Sequence, residues 1–173
     1  MKQQIVISGF GGQGVVFITR LITEAALYKG LSVFASETHG MAQRGGNVVS
    51  HIKIYEDRDG AEKFWSPVIR SGNADLLIAL HPESIAPYRH LLKPGGLIIC
   101  NGSPSGVSEG NTIMFDANSV AMRMGNPRMA NIVLLGFAAS GGYLFCSVAD
   151  LIDMISKEAG SNGFIEALKM GAS

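Results

Sequence analysis

A glycine-rich loop after the first predicted strand is the clearest chemical feature of this 173-residue sequence. Residues Gly9 to Gly14 read Gly-Phe-Gly-Gly-Gln-Gly and fit the pattern G-x-G-x-x-G between a strand and a helix. Glycine permits a tight turn, and free N–H groups at a helix start attract anions. The loop therefore indicates a dinucleotide site, a looser anion or partner site, or close strand–helix packing alone. The bulky amide of Gln13 argues against a standard dinucleotide site.

A second loop, rich in glycine and polar residues, covers residues 36–46. Arg44 offers a planar fork of five donors that suits a phosphate or a carboxylate, unless it is a solvated side chain of a mobile loop. His39 is a candidate base, although the sequence fixes no nucleophile or acidic partner beside it; the alternative is a hydrogen-bonded structural histidine. Glu37 follows the second strand, where a dinucleotide-binding fold places its ribose-binding acid.

Four loops are expected to meet at one edge of the predicted sheet. Ligands of open α/β sheets gather at the carboxyl ends of the strands, and each of these loops follows such an end. They are Gly9–Gly14, residues 36–46, residues 81–83 and residues 101–102. This convergence is the main argument from the sequence for where a site would lie.

The elements that position these loops alternate between strand and helix, which predicts an α/β fold. We expect a single domain over residues 1–173: a three-layer α/β/α sandwich with a mostly parallel mixed sheet and a Rossmann-like N-terminal half. No helix separates the strands at 31–35 and 47–55, so an antiparallel neighbour is expected there. The remaining expected elements are a helix over 13–29, strands at 5–7, 76–80, 97–100 and 112–115, a short helix over 85–92, a turn at 93–96, and helices after Pro127 with a capping box at Ser147 and Asp150.

Composition excludes several functions. Fourteen basic and fourteen acidic residues give zero net charge, which disfavours nucleic-acid binding and a polybasic membrane anchor. Charged residues make up 16% of the chain, below the usual ~25%, so we expect part of the surface to be covered by a partner. The two cysteines, Cys100 and Cys146, cannot hold an iron–sulfur cluster or build a disulfide scaffold. The four histidines lack metal-site spacing, and a cytoplasmic protein without membrane spans is expected.

Five segments of the chain are distinctive: GFGGQGVVF, SETHGMAQRGGNVVSHIKI, ADLLIALHPES, LKPGGLIICN and NPRMANIVLLG. Together they resemble the gamma subunit of 2-oxoacid:ferredoxin (acceptor) oxidoreductases, which is also an internal domain of single-chain pyruvate:ferredoxin oxidoreductases. The resemblance runs from about Ile5 to at least Gly136, and the second loop is most similar to the small subunit of indolepyruvate oxidoreductase. The matching positions, to which the resemblance gives binding and interface roles, are Gly9, Gly11, Gly12, Gln13, Gly14, His39, Gly40, Met41, Gln43, Arg44, Gly45 and Gly46.

The resemblance implies a complex that oxidatively decarboxylates a 2-oxoacid, transfers the acyl group to coenzyme A and passes electrons to ferredoxin. Thiamine diphosphate and the iron–sulfur clusters would belong to the alpha, beta and ferredoxin-like delta subunits. This chain would cover the active site and contribute to the coenzyme A side, with no catalytic residue of its own, and a homodimer is an expected form. Two other readings stay open: a stand-alone dinucleotide-binding oxidoreductase, and a ligand-binding module with no enzyme attached.

Overall fold

A six-stranded mixed sheet is the framework of the computed structural model, which describes residues 2–39, 46–56, 66–103, 110–157 and 160–173. The strands are β1 (Lys2–Phe10), β2 (Ser32–His39), β3 (Asn47–Tyr55), β4 (Ala74–Ala79), β5 (Leu92–Asn101) and β6 (Thr112–Phe115). The helices in this part of the chain are α1 (Val15–Tyr28), α2 (Ala117–Arg123), α3 (Ala130–Ser140), α4 (Val148–Ile155) and α5 (Asn162–Ala172). The predicted α/β class is confirmed.

The strands follow the order β2-β3-β1-β4-β5-β6, and β3 runs antiparallel to both of its neighbours. The strands β1, β4, β5 and β6 are parallel to one another. The antiparallel pairing of β3 with β2 was predicted and is confirmed, whereas its pairing with β1 was not predicted. The physical reason for the pairing with β2 is the short connection between β2 and β3, since a parallel pair needs a crossover of a dozen or more residues.

Strand β3 is buried on both faces of the sheet. Val48, Ile52 and Ile54 join the core under the helices, whereas Val49 joins the smaller apolar cluster on the opposite face. This alternation matches the sequence pattern, because side chains of a strand point to opposite faces in turn. The strand therefore fixes its own register strongly: a one-residue slip would exchange the two sets of side chains.

Helices α1, α3, α4 and α5 supply the apolar residues that cover one face of the sheet. On the opposite face the described residues form 3-10 turns, at Pro82–Ser84 and Arg89–Leu91, in place of α-helices. The short helix predicted over 85–92 is therefore wrong. The bonds there are those of tight turns: the Tyr88 N–H donates to the Ile85 carbonyl at 3.0 Å, and the Leu91 N–H donates to the Tyr88 carbonyl at 3.0 Å. This third layer of the fold is thin.

The turn predicted at residues 93–96 lies within β5, which begins at Leu92. The pairing with β4 shifts register between Ala74 and Leu76, so the strand carries an irregularity there. Gly95 takes a φ of +78°, which a residue with a side chain rarely adopts. The glycines therefore form a bulge inside the strand. Helix α2, which follows β6, is a further element that the sequence did not predict.

The helix ends follow the sequence signals closely. Gly30, with φ +71°, ends α1, and its N–H donates to the Leu27 carbonyl. At the start of α4 the predicted capping box is present: the Asp150 N–H donates to Ser147 Oγ at 3.2 Å, and the Ser147 N–H donates to Asp150 Oδ2 at 2.8 Å.

Helices α3 and α5 pack so closely that two glycines stand at their contact. A Cβ added at Gly136 would overlap the Leu168 carbonyl, and one added at Gly171 would overlap the Val133 carbonyl. Both obstacles are backbone atoms, so no side-chain rotation can relieve them. These glycines therefore let the C-terminal helix dock on α3, next to the sheet.

We predict that Gly136→Ala or Gly171→Ala lowers the free energy of unfolding by about 2 kcal/mol or more, since overpacking typically costs 1–3 kcal/mol. Gly163→Ala in the same helix α5 is the control. The nearest atom to its added Cβ is Met129 Cε at 3.8 Å, so helix propensity should make it neutral or slightly stabilising. Urea unfolding measures all three variants, and equal midpoints for Gly171→Ala and Gly163→Ala would contradict the packing argument.

His51 is buried on the face of the sheet that carries the 3-10 turns, where its Nδ1 accepts a hydrogen bond from the Ile69 N–H at 3.4 Å. Burial, and then the charge of Lys53, lower the pKa of His51 below its usual value of 6.5. Protonation therefore favours the unfolded chain, in which the pKa is higher. The stability contributed by neutral His51 is complete above pH 6.5 and declines as the pH falls below it.

We predict that the free energy of unfolding decreases between pH 7 and pH 5, and that His51→Gln flattens this decrease because glutamine does not titrate. His90→Gln, at an exposed position of a 3-10 turn, is the matched control and should keep the wild-type slope. Urea unfolding at a series of pH values checks this. A His51→Gln slope as steep as that of the wild type would refute the assignment.

Candidate functional site

The described parts of the four predicted loops meet at one edge of the sheet. The Gly11 N–H donates to the Gly46 carbonyl at 3.1 Å, which joins the glycine loop to the end of the second loop. The rings of Phe10 and His81 lie 5.1 Å apart, centroid to centroid. Asn101, at the end of β5, donates from Nδ2 to the Leu80 carbonyl at 3.3 Å. The carboxyl ends of the strands thus form one continuous edge.

The glycine loop is a tight turn that Gln13 closes with two hydrogen bonds. Its N–H donates to the Phe10 carbonyl at 3.1 Å, and its Oε1 accepts from the Phe10 N–H at 2.8 Å. Gly12, third in this turn, has a φ of +88°, as the turn requires. A Cβ at Gly9 would lie 2.9 Å from Gln13 Oε1, so the glycine makes room for the folded-back amide. Gln13 therefore braces the loop, with its amide oxygen turned back onto the Phe10 N–H.

This bracing uses some of the amides that could bind an anion. The N–H groups of Phe10, Gly11 and Gln13 already have protein acceptors. Among the described residues none accepts a hydrogen bond from the amides of Gly12 or Gly14. Gly14 is the N-cap of α1, which has no side-chain cap and no acidic residue in its first turn. The remaining anion-binding capacity is therefore at Gly12, Gly14 and the positive end of α1.

Glu37 does not lie where a ribose-binding acid would have to be. Its strand, β2, pairs with β3 and is separated from β1 by that strand. Glu37 is opposite Ser50, which in turn is opposite Ile7. Two strand spacings of about 4.8 Å place β2 roughly 10 Å from β1. In a dinucleotide-binding fold the second strand is next to the first, so the expectation for Glu37 is wrong.

A cleft of about 330 Å³ opens beside the glycine loop. Its wall is mostly polar and includes three asparagines and one arginine, and none of the described residues that line it is a carboxylate. The lining residues are Gly12, Gln13, Gly14, Leu80, Asn101, Asn118, Pro127, Arg128, Ala130 and Asn131. Reasoning from the sequence missed Asn118, because helix α2 was not predicted. Arg128 and Asn131 belong to the segment NPRMANIVLLG that carries the family resemblance, but neither was predicted to line a site.

Asn131 locks the start of α3 against the start of α1. Its side-chain amide occupies the space that a Cβ at Gly14 would need. Its Oδ1 accepts from the Ile132 N–H at 2.9 Å, which holds the amide in place. Gly14 therefore serves two purposes: it takes a φ of +86°, and it admits this close contact.

Several predicted site residues lie outside the described part of the chain: Gly40, Met41, Gln43, Arg44 and Gly45. The backbone of His39 is described, and it ends β2 opposite Val48. His81, in contrast, has a structural role: its Nδ1 accepts from the Glu83 N–H at 3.2 Å and caps a 3-10 turn. In the ranges that the structure describes, no three His, Cys, Asp or Glu side chains are grouped to hold a metal ion. No helix in those ranges has the length and apolar character needed to cross a membrane.

Comparison with known proteins extends over almost the whole chain. Residues 4–171 match the model of the pyruvate ferredoxin/flavodoxin oxidoreductase family. The chain is 33% identical over 158 residues to indolepyruvate oxidoreductase subunit IorB of Archaeoglobus fulgidus, a match that covers 79% of this chain and 75% of that protein.

Solved structures of related proteins share the fold. The gamma subunit of a keto/oxoacid ferredoxin oxidoreductase from Geobacter sulfurreducens is 27% identical with a TM-score of 0.74, and the match covers 98% of this chain and 96% of that one. The 2-oxoglutarate:ferredoxin oxidoreductase of Magnetococcus marinus is 20% identical with a TM-score of 0.77, over 98% of this chain and 30% of that one. The resemblance based on the two glycine loops is confirmed: the chain belongs to the pyruvate ferredoxin/flavodoxin oxidoreductase family.

Proposed function

We propose that this chain is the small, gamma-type subunit of a 2-oxoacid:ferredoxin oxidoreductase complex. The observation that carries the proposal is its end-to-end match with a separate gamma subunit, 96% of which it covers. The reaction of the complex converts a 2-oxoacid, coenzyme A and two oxidised ferredoxins into an acyl-CoA, CO₂, a proton and two reduced ferredoxins. The 2-oxoacid stays open, since one relative acts on indolepyruvate and a structural neighbour on 2-oxoglutarate.

The redox cofactors are proposed to reside in partner subunits, namely alpha, beta and a ferredoxin-like delta subunit. A cubane cluster takes four cysteine thiolates, and this chain has two cysteines. Both are buried, and burial raises the thiol pKa of Cys100 to about 11 and that of Cys146 to about 12. Both are therefore thiols near neutral pH in this chain. When bound in the complex, thiamine diphosphate supplies the carbanion chemistry that decarboxylation needs.

The role proposed for this chain is to cover the active site and to contribute to the coenzyme A side. The glycine loop supports it, because the Gly12 and Gly14 amides and the uncapped start of α1 favour an anion such as a phosphate. The structural neighbour from Magnetococcus marinus was solved with coenzyme A and succinyl-CoA bound. The binding and interface roles of His39, Gln43 and Arg44, inferred from the family resemblance, are part of the same proposal.

The topology disfavours a stand-alone dinucleotide-dependent oxidoreductase. Such an enzyme needs a ribose-binding acid beside the glycine loop, and β3 separates Glu37 from it. The composition of this chain, with only 16% charged residues, supports a surface that is covered by partners. The first observation argues against the dinucleotide-dependent enzyme, and the second favours the subunit over a ligand-binding module with no enzyme attached.

We predict that the chain, co-expressed with thiamine-binding alpha and beta subunits and a ferredoxin-like delta subunit, co-purifies with them. The complex should reduce a dye acceptor with a 2-oxoacid and coenzyme A, and the chain alone should not. Alone it should self-associate, because obligate interfaces commonly bury 2,000 Å² or more. Turnover by the pure chain, or a strictly monomeric chain that never joins the larger subunits, would refute the subunit role.

We predict that Arg44→Lys and Arg44→Ala leave the unfolding midpoint unchanged but reduce acyl-CoA formation by the complex at least tenfold. A lysine is a point charge and cannot replace a two-pronged guanidinium contact, which is typically worth about 1.5–3 kcal/mol. Arg70→Lys, at an exposed position away from the loops, is the control and should have no effect. Unchanged acyl transfer with Arg44→Ala would remove Arg44 from the site.

A further inference from the structure

Strand β2 forms one edge of the sheet, far from the cleft, and its outer side offers a long row of backbone donors and acceptors. The strand has eight residues, and among the described strands only β3 pairs with it. The strand at the other edge, β6, has only four residues. A long exposed edge strand is a template for pairing with another chain.

The devices that usually protect such an edge do not occur in β2. Natural proteins protect edge strands with lysine, proline or a bulge. Strand β2 contains neither lysine nor proline, and its pairing with β3 runs without a register shift from Ser32 to His39. Glu37 is its only Asp, Glu, Lys or Arg residue, and Ala35 and Thr38 are exposed beside it. This edge is therefore open to a further strand.

Exposed apolar side chains are concentrated on β2 and on the helix packed against it. Helix α1 contacts β2, and its residues Val16, Leu27 and Tyr28 are 44% or more exposed. Phe34 of β2 is 41% exposed even though its ring stacks on Tyr55. These four are a majority of the seven large apolar side chains that are exposed among the described residues. Such a concentration marks a surface that a partner covers.

We infer that β2 pairs antiparallel with β2 of a second copy of this chain, so that two sheets join around a two-fold axis. Alternate residues of an edge strand direct their backbone groups outward. In a two-fold antiparallel pair, outward residues meet outward residues only when one residue lies on the axis and faces its own copy. The described stretch 32–38 is symmetric about Ala35, which we place on that axis.

This register makes the strand complementary to itself. The facing pairs between the two copies are Ser32 with Thr38, Val33 with Glu37, Phe34 with Ser36, and Ala35 with Ala35. The two Phe34 side chains become diagonal neighbours, which aromatic rings can bridge. The two Glu37 carboxylates are four residues apart, about 13 Å along the strand, so their repulsion is screened. A second copy is therefore the occupant that this edge fits.

The same pairing leaves the glycine loops accessible. Strand β2 runs in the same direction as β1, because β3 is antiparallel to both. In the antiparallel pair of β2 strands, the carboxyl edges of the two sheets therefore point in opposite directions. The inference rests on the proposed function in one respect: it names the surface for the self-association expected of the isolated subunit.

The test is sedimentation velocity of the full chain at a series of concentrations, with lysine placed at two positions of β2. Ala35→Lys sets two ammonium groups opposite each other on the axis and should weaken the dimer at least tenfold, because facing like charges are destabilising. Thr38→Lys, in the same exposed strand, is the matched control. Its two ammonium groups lie about 20 Å apart along the strand, so the dissociation constant should not change.

A mixture of Ala35→Lys and Ala35→Glu separates repulsion from misfolding. Each variant alone should dissociate, whereas the equimolar mixture should form a heterodimer because opposite charges then face each other on the axis. Amide hydrogen exchange of the unmodified chain gives a second measurement that needs no variant. Dilution below the dissociation constant should speed the exchange of β2 amides and leave that of β4 amides unchanged.

A monomeric unmodified chain would overturn the inference, and so would equal dissociation constants for Ala35→Lys and Thr38→Lys. Failure of the mixture to form a heterodimer would also overturn it. A chain that fails these tests but joins thiamine-binding subunits leaves the subunit role intact. A dimer that passes them but never joins such subunits contradicts the subunit role and leaves the β2 interface intact.

Discussion

The antiparallel strand β3 lies between β1 and β2, and the arrangement of loops at the carboxyl edge of the sheet depends on it. Its register places Asn47 opposite Phe10, so the second loop ends where the glycine loop begins. The hydrogen bond from Gly11 to Gly46 then joins them. The same insertion moves β2 about two strand spacings from β1. One feature of the topology thus brings the two glycine loops together and removes the acid that a dinucleotide site would use.

Hydrogen bonds within the protein occupy some amides of the glycine loop and so determine where in the loop an anion can bind. Gln13 takes up the Phe10 N–H and returns its own to the Phe10 carbonyl, so the turn is rigid before any ligand arrives. The capacity for an anion is concentrated at Gly12, Gly14 and the start of α1. Asn131, packed against Gly14, brings the start of α3 to the same place. Two helix ends therefore act on one small volume, where a buried charge-assisted contact is stronger than at an open surface.

Local signals in the sequence were enough for most of the framework. The predicted capping box at Ser147 depends on neighbouring residues and is confirmed, and the Gly30 helix end and the alternating faces of β3 have equally local causes. The predictions that failed depended on contacts between residues far apart in the sequence. The position of Glu37 depends on strand order, which no local pattern encodes. The asparagine-lined cleft depends on how α2 and α3 dock on the sheet. For α3 this docking involves a backbone contact between Gly136 and Leu168 of α5, which a sequence does not display.

We propose that this chain works as a subunit covered by larger partners. The most direct measurement is a native pull-down of the tagged chain from its own source organism, followed by native mass spectrometry and thiamine diphosphate analysis. For such a subunit we expect a single assembly that contains this chain, thiamine-binding subunits and bound thiamine diphosphate in fixed ratio. Recovery of the chain alone, or with proteins that carry no thiamine diphosphate, would contradict it.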